Sequence, residues 1–169
     1  PRIYADGAYK GVDGIDLWSA AISDNAEVAV LGTHENCIEC VGKDGSPRWR
    51  FYMDGRAVCD YWGKQGHWDG IGLHARPLSI SSDGSRIAAV TEKGTVYLLN
   101  QDGHLIWKAN VKGWGYSATL SRKGDRVAVA SEQEWVLYDG DGKVLYRRET
   151  EGASGLDAAV SGSGGHFAF

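Results

Sequence analysis

Apolar and polar positions fall into short alternating runs along this chain, most clearly between Pro77 and Lys108. Pro77-Leu78-Ser79-Ile80-Ser81 is a brief apolar run, broken by Ser82-Asp83-Gly84-Ser85. Arg86 to Thr91 forms a second run rich in β-forming residues, and Glu92-Lys93-Gly94 turns the chain into a third, Thr95 to Asn100. Gln101-Asp102-Gly103 then leads into His104-Leu105-Ile106-Trp107-Lys108. Four strands joined by three tight turns are predicted, an antiparallel meander. Asp-Gly suits such turns because glycine takes positive φ without a Cβ clash and aspartate bonds nearby backbone.

The same pattern recurs. Asp-Gly, three residues and a large aromatic appear as Asp44-Gly45 to Trp49, Asp102-Gly103 to Trp107 and Asp141-Gly142 to Tyr146. A serine after an apolar residue marks each unit at Ser23, Ser81, Ser121 and Ser161. The intervals between these serines are 58, 40 and 40 residues. A period of about 40 residues is that of four-stranded propeller blades. The first interval is one repeat plus about 18 residues, placed between Trp49 and Ser81 because Trp49 to Trp107 is also 58. The expected fold is therefore all-β: a β-propeller of four-stranded antiparallel blades, about three complete and one partial. The repeats cover approximately 17–50, 73–108, 115–148 and 155–169, with an insertion at approximately 51–72. The fourth repeat stops after its second strand, His166 to Phe169. Two completions are open: further blades from a longer chain or another subunit, or a return of the segment Arg2 to Lys10 to the last blade, which would cover an exposed sheet edge.

Composition narrows the classes. The chain has 169 residues, 43% hydrophobic and 24% charged, ordinary for a globular domain. Its 24 glycines are about twice the usual share and fit a turn-rich, helix-poor chain. A net charge of -4 gives no electrostatic footprint for nucleic acid, and no apolar stretch approaches a membrane span. The chain begins at Pro1 without a basic leader, which leaves a surface, periplasmic or intracellular setting open. Three cysteines are too few for a disulfide-built scaffold.

The stretch Gly94-Thr95-Val96-Tyr97-Leu98-Leu99-Asn100-Gln101-Asp102-Gly103-His104-Leu105-Ile106-Trp107-Lys108 resembles the strand, turn and tryptophan-bearing strand of pyrroloquinoline-quinone-like β-propellers, and more loosely WD-repeat propellers. The resemblance implies that Trp49, Trp107 and, as a substitution, Tyr146 dock adjacent blades. It also implies a quinone-dependent oxidoreductase as the alternative to a binding module. The dehydrogenases of that family are much longer chains with cofactor and calcium ligands from several blades, and no motif here identifies such a site. Fold does not settle activity.

Other constellations have structural explanations. Cys37-x-x-Cys40, with His34 before it and Cys59 after, has zinc-like spacing, yet repeat alignment puts it on a strand, where positions three apart face opposite ways. Cys40 then replaces a core leucine, with a metal site or a disulfide involving Cys59 as the alternatives. Asp139-Gly140-Asp141-Gly142 resembles half a calcium loop but aligns with plain turns. No catalytic, metal or cofactor residues are assigned. The insertion is the least repeat-like stretch and carries Tyr52, Asp54, Arg56, Tyr61, Trp62, His67 and Trp68, along with Asp60, Asp69 and His74. Aromatics with mixed polar neighbours suit a protein interface or a glycan or small-ligand platform. The expectation is a non-catalytic binding or scaffold module that uses this insertion.

Overall fold

The computed structural model describes residues 2–5, 8–11, 17–33, 36–55, 77–150 and 157–169. Three four-stranded antiparallel sheets follow one another along the chain. The first holds β3 (Leu17–Ile22), β4 (Val28–Thr33), β5 (Cys37–Gly42) and β6 (Pro47–Tyr52); the second β7 (Leu78–Ile80), β8 (Arg86–Val90), β9 (Thr95–Asn100) and β10 (Leu105–Asn110). The third holds β11 (Gly115–Leu120), β12 (Arg126–Ser131), β13 (Glu134–Asp139) and β14 (Val144–Glu149). A two-stranded sheet, β15 (Ala159–Val160) with β16 (Phe167–Ala168), starts a fourth blade. The meanders are those of a β-propeller, all-β among the described residues.

The N-terminal segment differs from one of the two completions considered. β1 (Arg2–Ala5) pairs with β2 (Ala8–Gly11), Ala5 opposite Ala8, and not with β15 or β16. The residues between them in sequence are Asp6-Gly7, a pair favoured in two-residue hairpin connections, and local closure costs far less entropy than pairing across the whole chain.

Burial explains why the middle strands read as continuous apolar runs. All six residues of β5 are buried, as are five of six in β9, while β6 and β10 alternate between exposed and half-buried. The middle strand of the second blade is covered on both faces by neighbouring blades. Val30, Ile38 and Cys40 of the first blade meet Leu78, Ile87, Tyr97 and Leu99 of the second. Val96 and Leu98 of the second meet Val127, Val136 and Tyr138 of the third. Ala128, Ala130 and Leu137 then meet Ala158. Side chains alternate on β9, so one strand serves two inter-blade cores.

The recurring serine closes the first turn of each blade. Ser23, Ser81, Ser121 and Ser161 accept from the N–H five residues on through their hydroxyls, at 3.2, 3.0, 3.1 and 3.1 Å. The residues after these serines link the blades. The Asp24 N–H donates to the Ser82 carbonyl, Ser82 N–H to Arg122 and Arg122 N–H to Gly162, at 3.0, 3.0 and 3.1 Å. A backbone ladder thus runs from blade to blade beside the inner strands.

Each outer strand carries a bulge at one repeated place. Pro47 pairs with Val41 and Trp49 with Cys40; Leu105 pairs with Leu99 and Trp107 with Leu98; Val144 pairs with Tyr138 and Tyr146 with Leu137. Arg48, Ile106 and Leu145 are the extra residues. Such an insertion re-aims the side chain that follows. Trp49 reaches the next blade's turn, its Nε1–H donating to the Gln101 carbonyl at 2.8 Å, and Trp107 Nε1–H donates to Gly140 at 3.1 Å. A Cβ on Gly103 would lie 2.6 Å from Trp49 Cδ2, and one on Gly142 would lie 3.0 Å from Trp107 Cδ2. The repeated phrase fits itself: the aromatic of one copy rests on the glycine of the next. Tyr146 packs instead on Phe167, ring centroids 5.3 Å apart.

Candidate interaction site

The turns between second and third strands, and the connections from one blade to the next, lie at a single end of the blades. There a backbone bond recurs: Met53, Val111 and Thr150 donate their N–H groups to the carbonyls of Asn36, Gly94 and Gln133 at 2.7, 2.8 and 2.8 Å. Met53 and Val111 are buried and plug the inter-blade cores. The first blade therefore keeps the repeat pattern through Gly55, whose Cα faces Thr91 and Lys93 of the second blade. Pro77 returns to that blade, its carbonyl accepting from the Val90 N–H at 2.8 Å. The long connection leaves and rejoins the protein beside one turn of the second blade.

Of the residues assigned to binding from sequence, Tyr52 and Asp54 are in the described part. Tyr52 ends β6 and is 66% exposed. Asp54 bridges two blades: Thr95 Oγ1–H donates to its Oδ2 at 3.0 Å, and its own N–H donates to Tyr97 Oη at 3.1 Å. Burial raises the Tyr97 phenol above its ordinary pKa, while the Asp54 N–H pulls it down. Phe51 meets the Tyr97 ring edge-on at 5.5 Å. Arg56, Tyr61, Trp62, His67 and Trp68 lie outside the described residues, as do Asp60, Asp69, His74, His34 and Cys59.

The next junction repeats this geometry with different chemistry. Lys112 stands where Asp54 does, and its N–H donates to Glu134 Oε1 at 2.9 Å. Glu134, in the place of Thr95, is fully buried, with Arg147 Nη1 3.3 Å from Oε2. That approach is close enough for ion pairing but lacks hydrogen-bond angles, so Oε2 has no hydrogen-bond donor in the structure. Lys112 Nζ pairs with Glu149 and holds that carboxyl below its ordinary pKa. In the first blade, Arg50 Nη2 meets buried Glu39 at 3.2 Å, which raises the guanidinium pKa through the hydrogen bond and the charge of Glu39. A carboxylate buried on a strand has no spacing signature in sequence.

Trp114 also escaped the sequence reading. It sits in the turn before β11 and is 45% exposed. Its signal was available: it is a tryptophan between two glycines, outside the Asp-Gly-x-x-x-aromatic frame that accounts for Trp49 and Trp107.

The metal-like motifs resolve into strand and turn. Cys37 and Cys40 are free thiols buried on β5; Cys40 belongs to the inter-blade core, and Cys37 Sγ is 3.0 Å from Thr33 Oγ1. Burial pushes the Cys40 thiol up to about 11. Asp139 Oδ1 accepts from the N–H groups of Asp141 and Lys143 at 3.0 and 2.9 Å, as Asn100 Oδ1 does from Asp102 and His104. The acid closes its own turn. Among the described residues no group of three or more His, Cys, Asp or Glu could hold a metal ion.

A model of the family described as outer membrane protein assembly factor BamB matches residues 34–165. The chain belongs to this family. Among solved structures, BamB from Moraxella catarrhalis superimposes with a TM-score of 0.63 at 17% sequence identity, over 83% of this chain and 38% of that one. The BamB likeness therefore concerns the fold, and this chain spans 38% of that protein's length. No curated protein matches the sequence. No helix among the described residues is long and apolar enough to cross a membrane. BamB membership agrees with the pyrroloquinoline-quinone-like character of the repeats.

Proposed function

We propose that the chain is a non-catalytic binding module, part of a β-propeller that holds a protein partner during assembly of outer membrane proteins. The match to the assembly-factor family over residues 34–165 carries this reading. Physically, the blades supply a rigid frame, because inter-blade cores and paired turns fix the connections before any partner arrives, and this lowers the ordering cost of binding. The contact surface in this reading is the end that bears the connection after β6: Tyr52 and Asp54 with Arg56, Tyr61, Trp62, His67 and Trp68. Further blades, from the same chain or another subunit, complete the propeller. A glycan or small ligand on the aromatic residues is the lesser possibility.

Photo-cross-linking from position 52, in the envelope of a bacterium with an outer membrane, tests the reading. Capture of a defined assembly component, lost when residues 56–68 are deleted while the thermal midpoint is kept, supports it. Unchanged capture by the deletion variant would move the contact elsewhere on the blades. Dye-linked oxidation of an alcohol or sugar after addition of calcium and quinone would replace it with the oxidoreductase alternative.

A further inference from the structure

Among the described residues, Trp114 has no packing role comparable to those of Trp49, Trp107 and Trp135. Trp49 and Trp107 dock on neighbouring turns, and Trp135 stacks on Phe169 at 5.5 Å. Trp114 is absent from all three hydrophobic clusters, and the residue is 45% exposed. Displaying so large an apolar surface costs free energy unless something covers it, and tryptophan is prominent among residues that dominate binding interfaces.

The turn beneath it is fixed at almost every polar group. Val111 N–H donates to Gly94, Lys112 N–H to Glu134 Oε1, and Ser131 Oγ–H to the Lys112 carbonyl, at 2.8, 2.9 and 2.9 Å. Glu132 N–H donates to the Trp114 carbonyl at 2.8 Å, and Gly115 N–H to Thr91 at 3.2 Å. Gly113 has φ +75°, and a Cβ there would come within 2.8 Å of the Glu132 side chain. The indole is thus presented from a backbone with little freedom left to lose.

A carboxylate stands at its base. Glu132 Oε2 accepts from the Trp114 backbone N–H at 3.4 Å, so an acidic group is held on the backbone of the residue that displays the exposed indole. The nearest ammonium on the same turn, Lys112 Nζ, is drawn off to Glu149. An indole face attracts cations through its quadrupole, and an adjacent carboxylate adds an ion pair. The planar guanidinium satisfies both, stacking on the ring while it bonds the carboxylate, which a compact ammonium cannot do as well. The same chemistry is used internally in the third blade, where Arg148 Cζ lies 5.6 Å from the centroid of the Trp135 ring.

We propose that Trp114 and Glu132 form a receptor for an arginine side chain on a protein partner. This rests on the binding-module reading above and adds a specific anchor to it, on the connection after β10 rather than the one after β6.

The test is a titration of the 169-residue chain carrying ¹⁵N-tryptophan, followed by NMR. The Trp114 indole signal is assigned by its loss in Trp114→Phe. Tetra-arginine, tetra-lysine and maltotetraose are added separately. The Trp114 signal is expected to move saturably with tetra-arginine and less with tetra-lysine. Glu132→Gln, which keeps an acceptor for the Trp114 N–H, should weaken the tetra-arginine response about fivefold, as expected for losing one exposed ionic contact beside a ring. No movement with tetra-arginine, an equal response in Glu132→Gln, or movement with maltotetraose alone overturns the proposal. If the arginine receptor fails while deletion of residues 56–68 still abolishes capture, the binding-module reading survives without this anchor.

Discussion

Gly103 and Gly142 hold together two requirements that only glycine meets here. Both have positive φ, +77° and +84°, and both lie beneath an indole ring from the preceding blade. Gly103→Ala would force left-handed backbone on a residue with a Cβ and push that Cβ into Trp49; a loss of about 2 kcal/mol or more is expected, read as a lower urea midpoint. Ala26 presents the reverse case. It has φ 55°, at the turn position taken by Gly84, Gly124 and Gly164 in the other blades. Ala26→Gly should therefore stabilise the chain, by about 0.5 kcal/mol after the entropy of the extra glycine is subtracted. The Cys40 thiol gives a pH-dependent test. Its folded pKa is raised from 9.0 to about 11, so its contribution to stability is complete below the unfolded value and is lost as pH rises through the folded one. Across that window Cys40→Ala should lose stability less steeply than the unmodified chain, measured as the change in urea midpoint with pH. The turn glycines, serines and docking aromatics were legible in the sequence because each answers a local geometric demand that recurs. Glu134 and Trp114 were not, since each departs from the repeat and nothing local marks whether a single acid is buried or a single indole displayed.

Among the elements, the outer strands depend most on register. The extra residue at Arg48, Ile106 or Leu145 turns the following aromatic toward the next blade, and removing it would restore simple alternation and point that ring the other way. Deleting Ile106 should therefore cost more than Ile106→Ala, although Ile106 is itself 36% exposed; comparison of the two thermal midpoints is the check. A comparable result for both deletion and truncation would mean that the Trp107 contact with the Gly140 turn contributes little. Strand number and order could be read from sequence, because turn signals and β-forming runs alternate at a constant spacing. The bulge could not, because one additional residue in an exposed strand leaves the composition unchanged. The extent of the first blade was likewise partly hidden. Met53 and Asp54 look like the start of an insertion, but in space they repeat Val111 and Lys112, a correspondence visible only once the bonds to Asn36 and Gly94 are known.

At the scale of the molecule, the blades form a series in which each touches the one before and the one after. Separate hydrophobic clusters lie at the successive junctions, supplemented by the backbone ladder from Asp24 to Gly162 and by the tryptophan-to-turn contacts. In such an array cooperativity comes from the interfaces, and weakening one interface can uncouple units that remain stable individually. Trp107 spans the junction between the second and third blades: its ring is 5.3 Å from Tyr138, and its Nε1–H reaches Gly140. Trp107→Ala removes the indole and leaves a void in that junction, at a cost of about 3 kcal/mol. The expected result is a change in kind as well as degree. Urea unfolding should broaden or divide into two steps, with amides of β11–β14 losing hydrogen-exchange protection before those of β3–β6. Trp49→Ala should shift the weak point one junction earlier and expose β3–β6 first. If both variants unfold in one sharp transition with uniform loss of protection, the blades behave as a single cooperative body, and the inner-strand ladder rather than the outer aromatic carries the coupling between them.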